Sequence, residues 1–123
     1  MWNSRYALIG LLGFALVVRG GILIGVSSSL RTDPDGYRRL AENLVEHGTF
    51  GDKDRPTAFR PPLYPLALSV CLAAEPWTRA AIGVLHLVLG LATVWLVFRM
   101  VDRAGSRGAA ILAGVLTACD PIL

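Results

Sequence analysis

Charge is scarce in this sequence. Asp, Glu, Lys and Arg make up 17% of its 123 residues, against the ~25% of an ordinary soluble domain. Hydrophobic residues reach 54% and mean hydropathy is +0.54. Cysteine is scarcer still: Cys71 and Cys119, both in apolar surroundings. Two such residues read as small buried hydrophobes and do not make a disulfide framework or a metal site. No basic run carries interleaved aromatics, so nucleic-acid binding has no support. Paired broken helices and internal repeats are missing too, which argues against a secondary transporter. What charge there is balances across residues 27–79, with seven basic and seven acidic side chains.

The hydrophobic excess is gathered into runs, as in a membrane protein. The first covers residues 6–26, interrupted only by Arg19. Twenty-one residues at ~1.5 Å each give about 31 Å, enough to cross the hydrocarbon core. A signal peptide is the rival, with Arg5 as its charged start, residues 6–18 as its apolar part and Ser27-Ser28-Ser29 near a cut. The run continues past Arg19 and further apolar segments follow, which favours an anchor. Residues 80–98 form the cleanest span, uncharged with one histidine, His86. Arg99, Arg103 and Arg107, opposed only by Asp102, mark a short loop over 99–107. A last run, 108–119, leads to Asp120-Pro121 and stops in apolar sequence. The chain is therefore expected to be the N-terminal part of a longer protein, its last span (108–123) cut short.

Between the first two spans lies a structured polar segment. Asp33-Pro34 has the form of a helix start, a capping residue before a proline. Tyr37, Leu40, Ala41, Leu44 and Val45 then fall on one stripe, with Arg38, Arg39, Glu42, Asn43 and Glu46 opposite. Gly48 ends the pattern. The spacing predicts an amphipathic helix over 34–47 lying at the membrane interface. Residues 51–56 read as a turn-rich connector. Residues 62–74 predict a second helix, short for a span, either interfacial or a half-crossing. The positive-inside rule selects the interfacial choice, because the three-arginine loop then falls in the cytoplasm with Arg5, and 27–79 lies outside.

Few side chains suggest chemistry. Asp33 and Asp35 stand at the outer mouth of the first span. Either carboxylate could serve as a general base or hold a metal or a sugar hydroxyl; helix capping is the plainer role. Arg19, inside an apolar run, either pairs with Asp33, Asp35, Asp120 or a lipid phosphate, or snorkels to the interface. Arg60, before Pro61-Pro62, could offer its guanidinium to a phosphate or stand as a solvated loop residue. His86 reads as a packing residue, and Asp120 as a helix-end marker or a cavity-facing carboxylate.

The pieces also occur in a familiar order. Asp33-Pro34-Asp35-Gly36-Tyr37 leads into Arg38-Arg39-Leu40-Ala41-Glu42-Asn43-Leu44 and His47-Gly48-Thr49-Phe50. Arg60-Pro61-Pro62-Leu63-Tyr64-Pro65 follows, then a span ending in arginines and a helix ending in Asp120-Pro121. The order resembles the N-terminal module of the GT-C glycosyltransferases, in particular the family of protein O-mannosyltransferases and lipid A aminoarabinose transferases. The resemblance implies an external catalytic loop with two juxtamembrane helices and a sugar donor carried on a polyprenyl phosphate. By that resemblance Asp33, four residues before Tyr37, is the base that activates the acceptor, and Asp35 is second. Arg60 matches the basic residue before proline that contacts the donor phosphate; Tyr37 and Arg19 join it as substrate-binding candidates. The chain departs from the family in having Pro34 where an acidic residue is common, and arginine where lysine or histidine often stands at position 60.

These readings converge on an all-α, multi-pass membrane protein with juxtamembrane helices in its first external loop. The expected location is a cell membrane, of bacterial inner-membrane type, with a cytoplasmic N-terminus. The expected activity is transfer of a sugar from a polyprenyl-phosphate donor on the external face. No organic cofactor is expected, and a divalent metal is compatible with the acidic pair. The alternative is a small non-catalytic multi-pass protein, an assembly partner or lipid-binding remnant, in which Asp33 only caps and Arg60 only meets headgroups.

Overall fold

The computed structural model describes residues 4–25, 35–53, 55–57 and 59–120. It is mostly helical: α1 (Ser4–Gly25), α2 (Tyr37–His47), α3 (Leu63–Leu72), α4 (Thr78–Arg103) and α5 (Arg107–Cys119). A small antiparallel pair, β1 (Gly51–Asp52) and β2 (Arg55–Pro56), joins α2 to α3. Two helices, α1 and α4, are long and apolar enough to cross a membrane. The chain divides into two compact units, Met1–Val26 with His86–Leu123, and Ser27–Leu85.

In the first unit α1 packs on α5. Leu11, Ala15 and Arg19 are buried on α1, and Ala110, Gly114 and Ala118 are buried on α5. Both sets repeat every four residues, which places each on a single face. Small residues on α5 let the two backbones approach. A Cβ on Gly114 would collide with the Leu11 side chain. Val94 and Phe98 of α4, both fully buried, complete this core. At one end Ser4 Oγ donates to Asp102 Oδ2 at 2.8 Å. Around the core the helices present apolar side chains outward, among them Ile9, Val17 and Ile24 on α1 and Leu96 and Met100 on α4. Only 17% of the apolar window of α1, and 22% of that of α4, is buried within the chain.

In the second unit α2 lies against α3, with Ala41, Leu68, Cys71 and Ile82 as its core. The amphipathic stripe of α2 is seen in Leu40 and Ala41, both buried. Gly48 ends the helix in the left-handed conformation at φ 67°, its N–H returning to the Leu44 carbonyl at 3.0 Å. Glycine adopts that conformation without the Cβ clash that other residues meet. At ten residues, or ~15 Å, α3 is too short to cross a bilayer.

Four sequence expectations are corrected. The first described turn of α2 begins at Tyr37, not 34, because Gly36 takes the left-handed conformation (φ 72°) and supplies no side-chain cap. Asp33 and Pro34 lie outside the described residues. The connector over 51–56 contains the β1–β2 hairpin, so the described fold is not wholly α. The loop over 99–107 shrinks to 104–106, because nothing between Arg99 and Arg103 breaks a helix. Gly105 (φ 95°) and the Ser106 cap then turn the chain into α5. Lastly, Asn43 belongs to the buried side of α2 and not to its polar face.

Asn43 is buried because it organises the hairpin. Its Nδ2 donates to the carbonyls of Thr49 (2.8 Å) and Lys53 (3.0 Å), and its Oδ1 accepts from the Lys53 N–H at 2.9 Å. One side chain thus satisfies three backbone groups of a loop that has few others to pair with. Alanine at position 43 is expected to destabilise this segment by ~2–3 kcal/mol, since those groups lose their partners. The effect should show as faster amide exchange at Lys53 and faster proteolysis across 48–57, with α1 and α5 unaffected.

Candidate functional site

The site forms where the N-terminal turn of α2 meets the first turn of α3. Tyr37 opens α2 and points its ring toward α3, where Tyr64 meets it edge to face, centroids 5.4 Å apart at 88°. That arrangement sets the positive edge of one ring against the negative face of the other. Arg60 belongs to the segment just before α3. Its guanidinium carbon stands 5.2 Å from the centroid of Tyr37 and 5.5 Å from that of Phe59. Pro61 and Pro62 follow, and proline restricts both its own backbone and that of the residue before it. The cation is therefore presented by a stiffened chain and steadied by two aromatic rings, each contact worth ~0.5–1 kcal/mol at a partly exposed site.

The electrostatics of this corner favour an anion. Arg38, the neighbour of Tyr37, is engaged with Glu42 at 2.9 Å across one helical turn. Among the described residues Arg60 makes no ion pair. A planar guanidinium stacked on rings keeps its N–H edges for a ligand, and those edges match phosphate or carboxylate oxygens in pairs. Asp35, exposed, lies in the turn just ahead of α2, two residues from Tyr37. The structure thus brings Arg60 and Tyr37 into contact, and Asp35 precedes Tyr37 by two residues. Asp33 falls outside the described residues.

Arg19 lies in the other unit and is only 6% exposed, so it does not snorkel. Its Nη2 donates to the Thr117 carbonyl at 2.7 Å, near the end of α5. That carbonyl also receives the backbone N–H of Asp120 at 3.4 Å. Gly90 of α4 makes room for the guanidinium: a Cβ there would be 2.7 Å from Arg19 Nη1. His86 is partly buried on α4, and Asp120 caps α5 through its backbone. Among the described residues no three His, Cys, Asp or Glu side chains gather as a metal site.

Two features escaped the sequence reading, the Asn43 clamp and the Gly90 cradle beneath Arg19. The first left a trace in the Asn between two apolar stripe positions, Leu40 and Leu44. The second left none, since contact between α1 and α4 is not written in either segment alone. No protein-family model, curated protein or solved structure matches the chain.

Proposed function

We propose that this chain carries the donor-binding corner of a multi-pass membrane glycosyltransferase that takes its sugar from a polyprenyl phosphate. Arg60, held over Tyr37 without an ion pair among the described residues, carries the proposal. A lipid-linked phosphate needs a cation at the edge of apolar surface, and Arg60 sits beside exposed Phe59 and Leu63. Membrane insertion is supported by α1 and α4, whose apolar windows are mostly uncovered by the rest of the chain. A soluble core helix would be covered. With the arginine-rich loop in the cytoplasm, residues 27–79 face outward, where the donor would be used.

The chemistry follows from charge. Transfer breaks the bond between the anomeric carbon and the phosphate oxygen, leaving a polyprenyl phosphate dianion. Arg60 neutralises that departing charge while a carboxylate, Asp33 or Asp35, takes the proton of the acceptor hydroxyl as it attacks. Tyr37 keeps the guanidinium in place.

Binding of a polyprenyl phosphate to the protein in nanodiscs tests the proposal directly. Arg60→Ala should weaken it by roughly 10- to 100-fold, the worth of a charge-assisted hydrogen bond, and Arg60→Lys should recover part of the loss. Unchanged binding in Arg60→Ala would remove the donor site from this corner. The non-catalytic alternative would then be favoured.

A further inference from the structure

We propose that the arginine-bearing end of the first unit is a binding surface for anionic lipid headgroups. The inference rests on the membrane reading above but not on the transferase reading. Four arginines meet there. Arg5 begins α1, Arg99 and Arg103 stand in the last turns of α4, and Arg107 begins α5; all four are exposed. The Ser4 Oγ to Asp102 Oδ2 hydrogen bond of 2.8 Å ties the start of α1 to the end of α4, so these residues share one end of the unit. Asp102 is the one acidic residue among residues 4–25 and 86–119. It is already engaged by Ser4 and lies 3.7 Å from Arg107 Nε. With four arginines and one aspartate, the end carries a net positive field.

Two further observations point to lipid and not to a soluble acidic partner. Exposed apolar side chains stand immediately beside the arginines on the same helices: Tyr6 and Ile9 after Arg5, Leu96 and Met100 around Arg99, Ile111 and Leu112 beyond Arg107. Cations directly beside an apolar belt match the phosphate layer above acyl chains, where arginine stems lie in the hydrocarbon and heads reach the phosphates. The position of Arg107 also runs against the local helix preference. It sits in the first turn of α5, which has no acidic residue, where the helix dipole disfavours a cation. Asp102 already meets Arg107 there at 3.7 Å, and an anionic headgroup at that N-terminus would add to the charge that offsets the helix dipole.

The test compares the protein in nanodiscs of phosphatidylcholine with the protein in nanodiscs that also contain phosphatidylglycerol. Retained lipid is read by native mass spectrometry and stability by thermal melting. The wild type should retain phosphatidylglycerol preferentially and melt higher in its presence, with the difference shrinking as salt is raised. Arg99→Gln with Arg103→Gln should reduce the lipid preference by about fivefold for each arginine removed. Arg5→Gln, at a separate helix, should reduce it independently. A preference unchanged in these variants would overturn the inference, as would equal stabilisation by inorganic phosphate in detergent, which would indicate a free-anion site. Incorporation into both nanodiscs without any preference would overturn this inference alone. Failure to incorporate into either would overturn the membrane reading and this inference with it.

Discussion

If the chain is the transferase proposed above, asparagine in place of Asp33 is expected to lower sugar transfer by about 10²- to 10⁴-fold, the usual worth of a positioned general base. The substitution separates two roles that the sequence leaves superimposed. Asparagine caps a helix as well as aspartate does, so a residue that only caps would tolerate it. A residue that must accept a proton would not, because an amide has no basic oxygen at neutral pH. The measurement is the initial rate of sugar release from a labelled polyprenyl-phosphate donor in membranes, with the amount of inserted protein as control. Near-normal transfer would assign Asp33 to capping. Asp35→Asn in the same assay then decides whether the neighbouring carboxylate, exposed and two residues from Tyr37, is the base instead.

The reasons that Arg60 and Tyr37 could be named from sequence, and their contact could not, are physical. Tyr37 was visible because it begins an apolar stripe of period 3.6, and Arg60 because two prolines follow it. Their meeting depends on α3 folding back on α2, a long-range event with no local signal. The helices themselves were legible through hydrophobic periodicity and length. Their ends were less so: Gly48 stops α2 as its position suggests, whereas Gly36 delays its start and Arg99 fails to stop α4. Asn43 was assigned to the polar face because its side chain is polar. A buried amide is stable there only because the loop it clamps returns three hydrogen bonds, and periodicity does not report on partners that arrive from six to ten residues away. Arg19 was seen as an anomaly in an apolar run, but its acceptor on Thr117 lies 98 residues along the chain.

Leucine in place of Gly114 is expected to separate α1 from α5, with a loss of ~3 kcal/mol at the upper end of what core overpacking costs. On the membrane reading proposed above, association of these helices depends on close packing more than on expulsion of water, because acyl chains are as apolar as leucine. The surface that achieves it here is the row Ala110, Gly114 and Ala118 against Leu11, Ala15 and Arg19. Leu11 occupies the space that a Cβ on Gly114 would take, and it is itself only 5% exposed. It therefore has little freedom to swing aside. If α1 shifts outward, Arg19 also loses its 2.7 Å bond to the Thr117 carbonyl, which leaves a buried charge less well compensated and adds to the cost. Unfolding of the protein by sodium dodecyl sulfate in mild-detergent micelles measures the loss. Gly114→Ala should cost less than Gly114→Leu. Leu11→Ala combined with Gly114→Leu should recover part of the stability, because the hole and the knob have changed sides; such coupling between touching residues is typically ~0.5–3 kcal/mol. Purely additive losses in that double variant would mean that Leu11 and Gly114 do not pack together, and that another contact holds α5 against α1.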